Sequence, residues 1–149
     1  MRAPLWLAAS ALVGCVPPDP CSELAPAAAP HAEAHGRFAD VARRIVAADS
    51  AFDDQRVLEE SLFHSLRAQP EVLAAWVERS GPAPLALAHP RSAALPATPL
   101  TTCRVGGERL ELGRVELAVA DIPGPALLVR QRFASAAEEV VVTVAFVAP

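Results

Sequence analysis

Two histidines four residues apart, in His31-Ala32-Glu33-Ala34-His35, are the closest this sequence comes to a metal site, because on a helix that spacing puts both imidazoles on one face. The pattern is not the His-Glu-x-x-His of zinc proteases and no third ligand follows it, so a solvated helix start is the simpler expectation. Asp49, Asp53 and Asp54 cluster without the Gly turn and closing Glu of a calcium loop, and helix capping accounts for them better. No Ser lies in a Gly-x-Ser-x-Gly elbow, and Cys103 has only Arg104 beside it as an activating cation. Seven Gly are too few and too scattered to cradle a phosphate. With no Tyr and no Lys to serve as acid, base or nucleophile, an enzyme is not expected. No metal or other cofactor is implied.

The N-terminus carries a different kind of chemistry. Met1 and Arg2 supply a positive start, and Ala3 to Leu12 are almost wholly apolar. A run that short does not cross a hydrocarbon core about 30 Å thick, for which about 20 residues are needed, but it suits the apolar region of a signal peptide. Directly after it stands Leu12-Val13-Gly14-Cys15, which resembles the lipobox of bacterial lipoproteins. The resemblance covers the leader alone. It implies that residues 1–14 are removed and that Cys15 carries diacylglycerol as the first mature residue, with its new amine open to a further acyl chain. Gly14 supplies the small residue beside the scissile bond. The competing reading is an ordinary secretory cut at Ala9-Ser10-Ala11, which would leave a very short apolar core. Two or three acyl chains make attachment effectively permanent, so the resemblance places the domain at a membrane surface. Val16, where Asp would favour retention at the inner membrane, points to the outer one.

Lipidation of Cys15 leaves Cys21 and Cys103 as an even pair in an oxidising compartment, and we expect them to form a disulfide. A free or intermolecular Cys21 is the alternative. Cys21 lies in Val16–Pro30, a stretch with five Pro and no apolar period, which together with Cys15 reads as an extended tether over 15–30.

The remaining residues, 31–149, suffice for a single domain. All 13 basic residues are Arg, and loss of Arg2 with the leader leaves a mature chain with a net negative charge. The Arg residues are scattered singly apart from Arg43 with Arg44 and Arg130 with Arg132, so no nucleic-acid footprint stands out.

Periodicity predicts an α+β fold: about three N-terminal helices packed on one face of a four-stranded antiparallel meander. The first helix, over 34–49, presents Phe38, Val41, Ala42 and Ile45. The second, over roughly 53–68, presents Leu58, Leu62, Leu66 and Phe63. The third runs from Pro70 to Ser80, buries Val72, Leu73 and Trp76, and stops at Gly81. Residues 81–99 hold five Pro and read as a long connection with an extended piece at Leu85 to Leu87. From Leu100 the period becomes two, with turns expected at Gly106-Gly107, Pro123-Gly124 and Ser135 to Ala137. The inward phase changes between Leu112 and Val115, which a bulge at Gly113 would reconcile.

The expected function is that of a non-catalytic, membrane-anchored envelope lipoprotein that binds another envelope protein or helps assemble a complex. Its contact surface would be the outer sheet face, with Arg130, Arg132, Val141 and Val147, together with the proline-rich segment around His89. A small-molecule or lipid-binding lipoprotein is the alternative, and it requires a cavity between helices and sheet.

Overall fold

The computed structural model describes residues 18–47, 55–119 and 122–148. It corrects the predicted fold class: the chain is mostly β, built on one six-stranded antiparallel sheet of order β2-β1-β6-β5-β4-β3. The strands are β1 (Val72–Ser80), β2 (Leu85–His89), β3 (Thr101–Val105), β4 (Glu108–Val119), β5 (Ile122–Ala134) and β6 (Glu139–Val147). Two short helices, α1 (Cys21–Ala28) and α3 (Gln55–Phe63), flank a longer one, α2 (Ala32–Ala47).

The predicted third helix is strand β1. Its apolar run is buried on both sides, Ala75 and Val77 against the helices and Ala74 and Trp76 on the opposite face. A strand covered on both faces shows no period-two contrast, so a run that ends at a glycine is easily taken for a short helix. Gly81, at φ +128°, turns the chain between β1 and β2, and a Cβ there would lie 2.9 Å from the carbonyl oxygen of Ala137. The extended piece foreseen near Leu85 is β2, paired with β1 from Ala75↔His89 to Arg79↔Leu85.

Double-sided burial also removes the bulge foreseen at Gly113. The β4–β5 register runs without a shift through Leu112↔Val129, Gly113↔Leu128 and Arg114↔Leu127. Leu110 and Leu112 join the helix-side core, whereas Val115, Leu117 and Val119 belong to a second cluster on the other face. The middle of that face is covered by the proline-rich connection. β2 and β3 are the two edges of the sheet, so residues 90–100 cross its whole width. On that face Ala74, Ala145, Leu128 and Gly113 stand in register across four strands, three of them small. A Cβ at Gly113 would come within 2.5 Å of Leu100 Cδ2, so the Leu100 side chain packs over the glycine and would have to turn aside for any larger residue.

One polar contact between this proline-rich strap and the sheet is Trp76 Nε1 donating to the Ala93 carbonyl at 3.0 Å. Trp76→Phe keeps most of the ring and loses this bond. We expect it to cost about 1 kcal/mol, read as a lower urea midpoint at unchanged m. An unchanged midpoint would show that this bond adds nothing to the hold on the strap.

On the other face, α2 buries His35, Phe38, Ala39, Ala42 and Val46, a stripe turned slightly from the predicted one because Val41 and Ile45 lie at its margin. α3 and the following turn bury Leu58, Leu62, Phe63 and Leu66 as expected. These side chains fill the space over Ala75, Val77, Leu112, Leu127, Val129, Val142 and Val144. Arg79, only 8% exposed, ties three segments together. It donates from Nη1 to the Val46 carbonyl at the C-terminal end of α2 and from Nε to the Ala83 carbonyl, both at 2.8 Å, with Glu138 3.9 Å away. A cation satisfying the last carbonyls of a helix is favourable both as a hydrogen-bond donor and against the helix dipole.

The segment read as a tether is ordered from Cys21. α1 packs on β3 with Leu24 and Ala28 buried, and it carries Pro26 inside the helix. Its first residue forms the expected disulfide, Cys21–Cys103, with a Cα–Cα distance of 5.6 Å.

Candidate functional site

Three surface features each bring several polar groups of the described residues together. Cys15, together with Asp49, Asp53 and Asp54, lies outside those residues.

The first feature is a cleft of about 300 Å³ where α3 meets the end of β2, lined by Arg56, Glu59, Glu60, Phe63, Arg67, His89 and Arg91 among others. α3 turns Leu58 and Leu62 inward, which leaves Arg56, Glu59 and Glu60 on its outward and lateral faces. The His89 ring stacks on Phe63 with centroids 5.4 Å apart. Burial and the nearby Arg67 guanidinium both hold His89 below the ordinary histidine range. Arg91 Nε donates to Glu59 Oε2 at 2.6 Å, which ties the start of the strap to α3. This is the proline-rich neighbourhood of His89 singled out in the sequence, now seen as one wall of a mixed-charge groove.

The second is a recess of about 200 Å³ between α2 and the β3–β5 side of the sheet, lined by Ala32, His35, Gly36, Asp40, Glu108, Gln131 and Phe133 among others. His35 is not part of a solvated helix start: it is 1% exposed, and burial pushes its pKa down to about 4. The backbone of Val142 and Val129 offsets this in part, yet neither ring nitrogen makes a well-formed hydrogen bond. His31 is drawn elsewhere and stacks on Phe146 with centroids 4.3 Å apart. Among the described residues, no group of three His, Cys, Asp or Glu side chains comes together to hold a metal.

The third is the part of the outer sheet face that the strap leaves open. Arg130 donates to Thr143 Oγ1 at 3.1 Å, and Arg132 bridges Glu111 at 2.7 Å and Glu139 at 3.0 Å. Those two carboxylates raise the Arg132 pKa. Val141, offered by the sequence as a contact residue, is only 8% exposed, whereas Val147 is 46% exposed near the end of the chain. The sequence reading missed Arg104 and Arg109, which the β3–β4 register sets directly opposite each other. The signal was present: a hairpin at Gly106-Gly107 that pairs Cys103 with Leu110 necessarily pairs these two as well.

No family model, curated protein or solved structure matches the chain. No described helix is long and apolar enough to cross a membrane.

Proposed function

We propose that the chain is an envelope lipoprotein, anchored through acylated Cys15 and most readily placed at the outer membrane, whose domain is a non-catalytic binding or assembly module for another envelope protein. The observation that carries this reading is the filled interior. Apolar side chains occupy both faces of the sheet, so chemistry with a partner is left to open, charged surfaces. The groove between α3 and β2 is the contact surface that fits best, because it joins an aromatic floor, Phe63 and His89, to alternating Arg and Glu at its rim. Val141 and Val147 add little to such a contact, one being buried and the other isolated at the chain end.

A photo-crosslinking side chain at Arg91, in the acylated protein, tests the proposal. One envelope protein should be captured, and the product should vanish with a charge reversal at Glu60. Cys15→Ala should abolish fatty-acid labelling and release the protein to the soluble fraction. Labelling that persisted in that variant would overturn the anchor, and capture of no protein at the groove would overturn the contact surface.

The His35 recess favours a second reading, as a small-ligand site, because it offers an imidazole without a strong partner beside Gln131 and Asp40. A small molecule co-purifying in stoichiometric amount, and lost in His35→Leu, would move the weight to that reading.

A further inference from the structure

We infer that the outer sheet face around Arg104 and Arg109 docks on the anionic headgroups of the membrane that holds the chain, so that the domain is oriented rather than free on its anchor. This rests on the reading of Cys15 as the acylated residue.

The observation behind it is an electrostatic mismatch at the edge of the sheet. Arg104 and Arg109 are cross-strand neighbours, and both are exposed. Like charges directly opposite on an antiparallel pair are destabilising. The other cations of the face have internal partners: Arg132 has Glu111 and Glu139, and Arg130 has the Thr143 hydroxyl. Among the described residues, neither Arg104 nor Arg109 forms an ion pair. Arg109, Arg130 and Arg132 share one open cleft with Thr102 and Glu111. The result is a cationic corner on a chain whose net charge is −4, and its unpaired guanidiniums call for an external anion.

The position of this corner identifies the anion. Arg104 follows Cys103, which is bonded to Cys21, and Cys21 lies six residues after Cys15. At about 3.3–3.6 Å per residue, a fully extended chain of that length spans roughly 20 Å. The acyl chains of Cys15 fix its own backbone at headgroup level, so the β3 edge is held close above the lipid. The attraction of a guanidinium to an anionic leaflet acts within a Debye length of about 8 Å, which a domain on so short a leash samples continually. The α3–β2 groove lies at the opposite edge of the sheet, five strand spacings or about 24 Å away. Docking around β3 therefore leaves the groove outside the contact.

The test uses the purified acylated protein in phosphatidylcholine vesicles with and without phosphatidylglycerol, after mass spectrometry has established the acyl chains on Cys15. Backbone hydrogen exchange of residues 101–112 is measured in each. Two arginines at an anionic surface shift the occupancy of the docked orientation roughly thirtyfold, so exchange in this hairpin should slow at least tenfold on the anionic vesicles alone. Raising the salt to molar range should erase the difference in the wild-type protein. Arg104→Gln with Arg109→Gln should abolish it while leaving the melting temperature unchanged or slightly higher. An acylated protein with equal exchange on both vesicles overturns the inference and leaves the anchor standing. Absence of acyl chains on Cys15 overturns the anchor instead. Protection of the hairpin by an acidic envelope protein, with no dependence on lipid charge, would also overturn the inference.

Discussion

Opening the Cys21–Cys103 bridge lowers the melting temperature by roughly 15 °C. The bridge closes a loop with a sequence separation of 82, and chain-entropy reasoning puts its contribution at up to about 4.5 kcal/mol. In a domain of this size each kcal/mol is worth roughly 3–4 °C. The loss should appear equally on reduction of the wild-type protein and in the double variant Cys21→Ala with Cys103→Ala. α1 depends on the bridge most directly, because Leu24 and Ala28 are its main buried side chains and the helix is only eight residues long. Limited proteolysis of the reduced protein should therefore cut first within residues 18–31. A shift of less than about 4 °C would mean that α1 is held by packing alone.

Acid removes about 3 kcal/mol through a single buried imidazole. His35 has a folded pKa of about 4 against 6.5 when exposed. Between those values the unfolded chain binds a proton that the folded protein refuses, so stability is full above pH 6.5 and falls as the pH drops towards 4, below which this contribution is flat. At 1.36 kcal/mol per pKa unit the interval amounts to about 3 kcal/mol. Asp40 and Glu108, which line the same recess, leave this loss standing because burial dominates the shift. His35→Leu, close in volume, should flatten the dependence of urea stability on pH between 6.5 and 4. At pH 7 it should be no less stable than wild type, since it removes two ring nitrogens without good partners. His89, lowered in the same direction but at the surface, should leave most of the slope in place when changed to Gln. An equal slope in wild type and His35→Leu would remove His35 from the account.

What the sequence revealed and concealed follows from one physical contrast. Strands β3 to β6 were legible because a hairpin glycine pair and alternating phases mark them, and the disulfide followed from cysteine arithmetic. Pro123 and Gly124, expected in a turn, instead pair with Ala118 and Leu117 inside the β4–β5 ladder. β1 reads as a helix in the sequence because a strand buried on both faces carries no alternation. Recognising that the proline-rich connection covers the second face would have removed the bulge at Gly113 and supplied β1 and β2 together. α1 was hidden by proline and alanine, residues as suited to a spacer as to a first helical turn. At the surface, Arg130 and Arg132 stood out as near neighbours in sequence. Arg104 and Arg109 meet only through strand register, and the groove at His89 only through the packing of α3 on β2.

The covalent bridge also determines how the domain bears a mechanical load. Were the chain held by an acyl group at Cys15, as proposed, and pulled from its last strand, β6, the force would enter the fold at residue 21 and pass at once through sulfur to Cys103. α1 is bypassed, and so is every element between the two cysteines. Their separation of 82 residues corresponds to roughly 280 Å of contour length that force cannot pay out while the bridge is intact. The load falls instead first across the β3–β4 hydrogen bonds, at one edge of the sheet. Under tension the bridged domain behaves as a short, stiff link, and the reduced one as a long, extensible one.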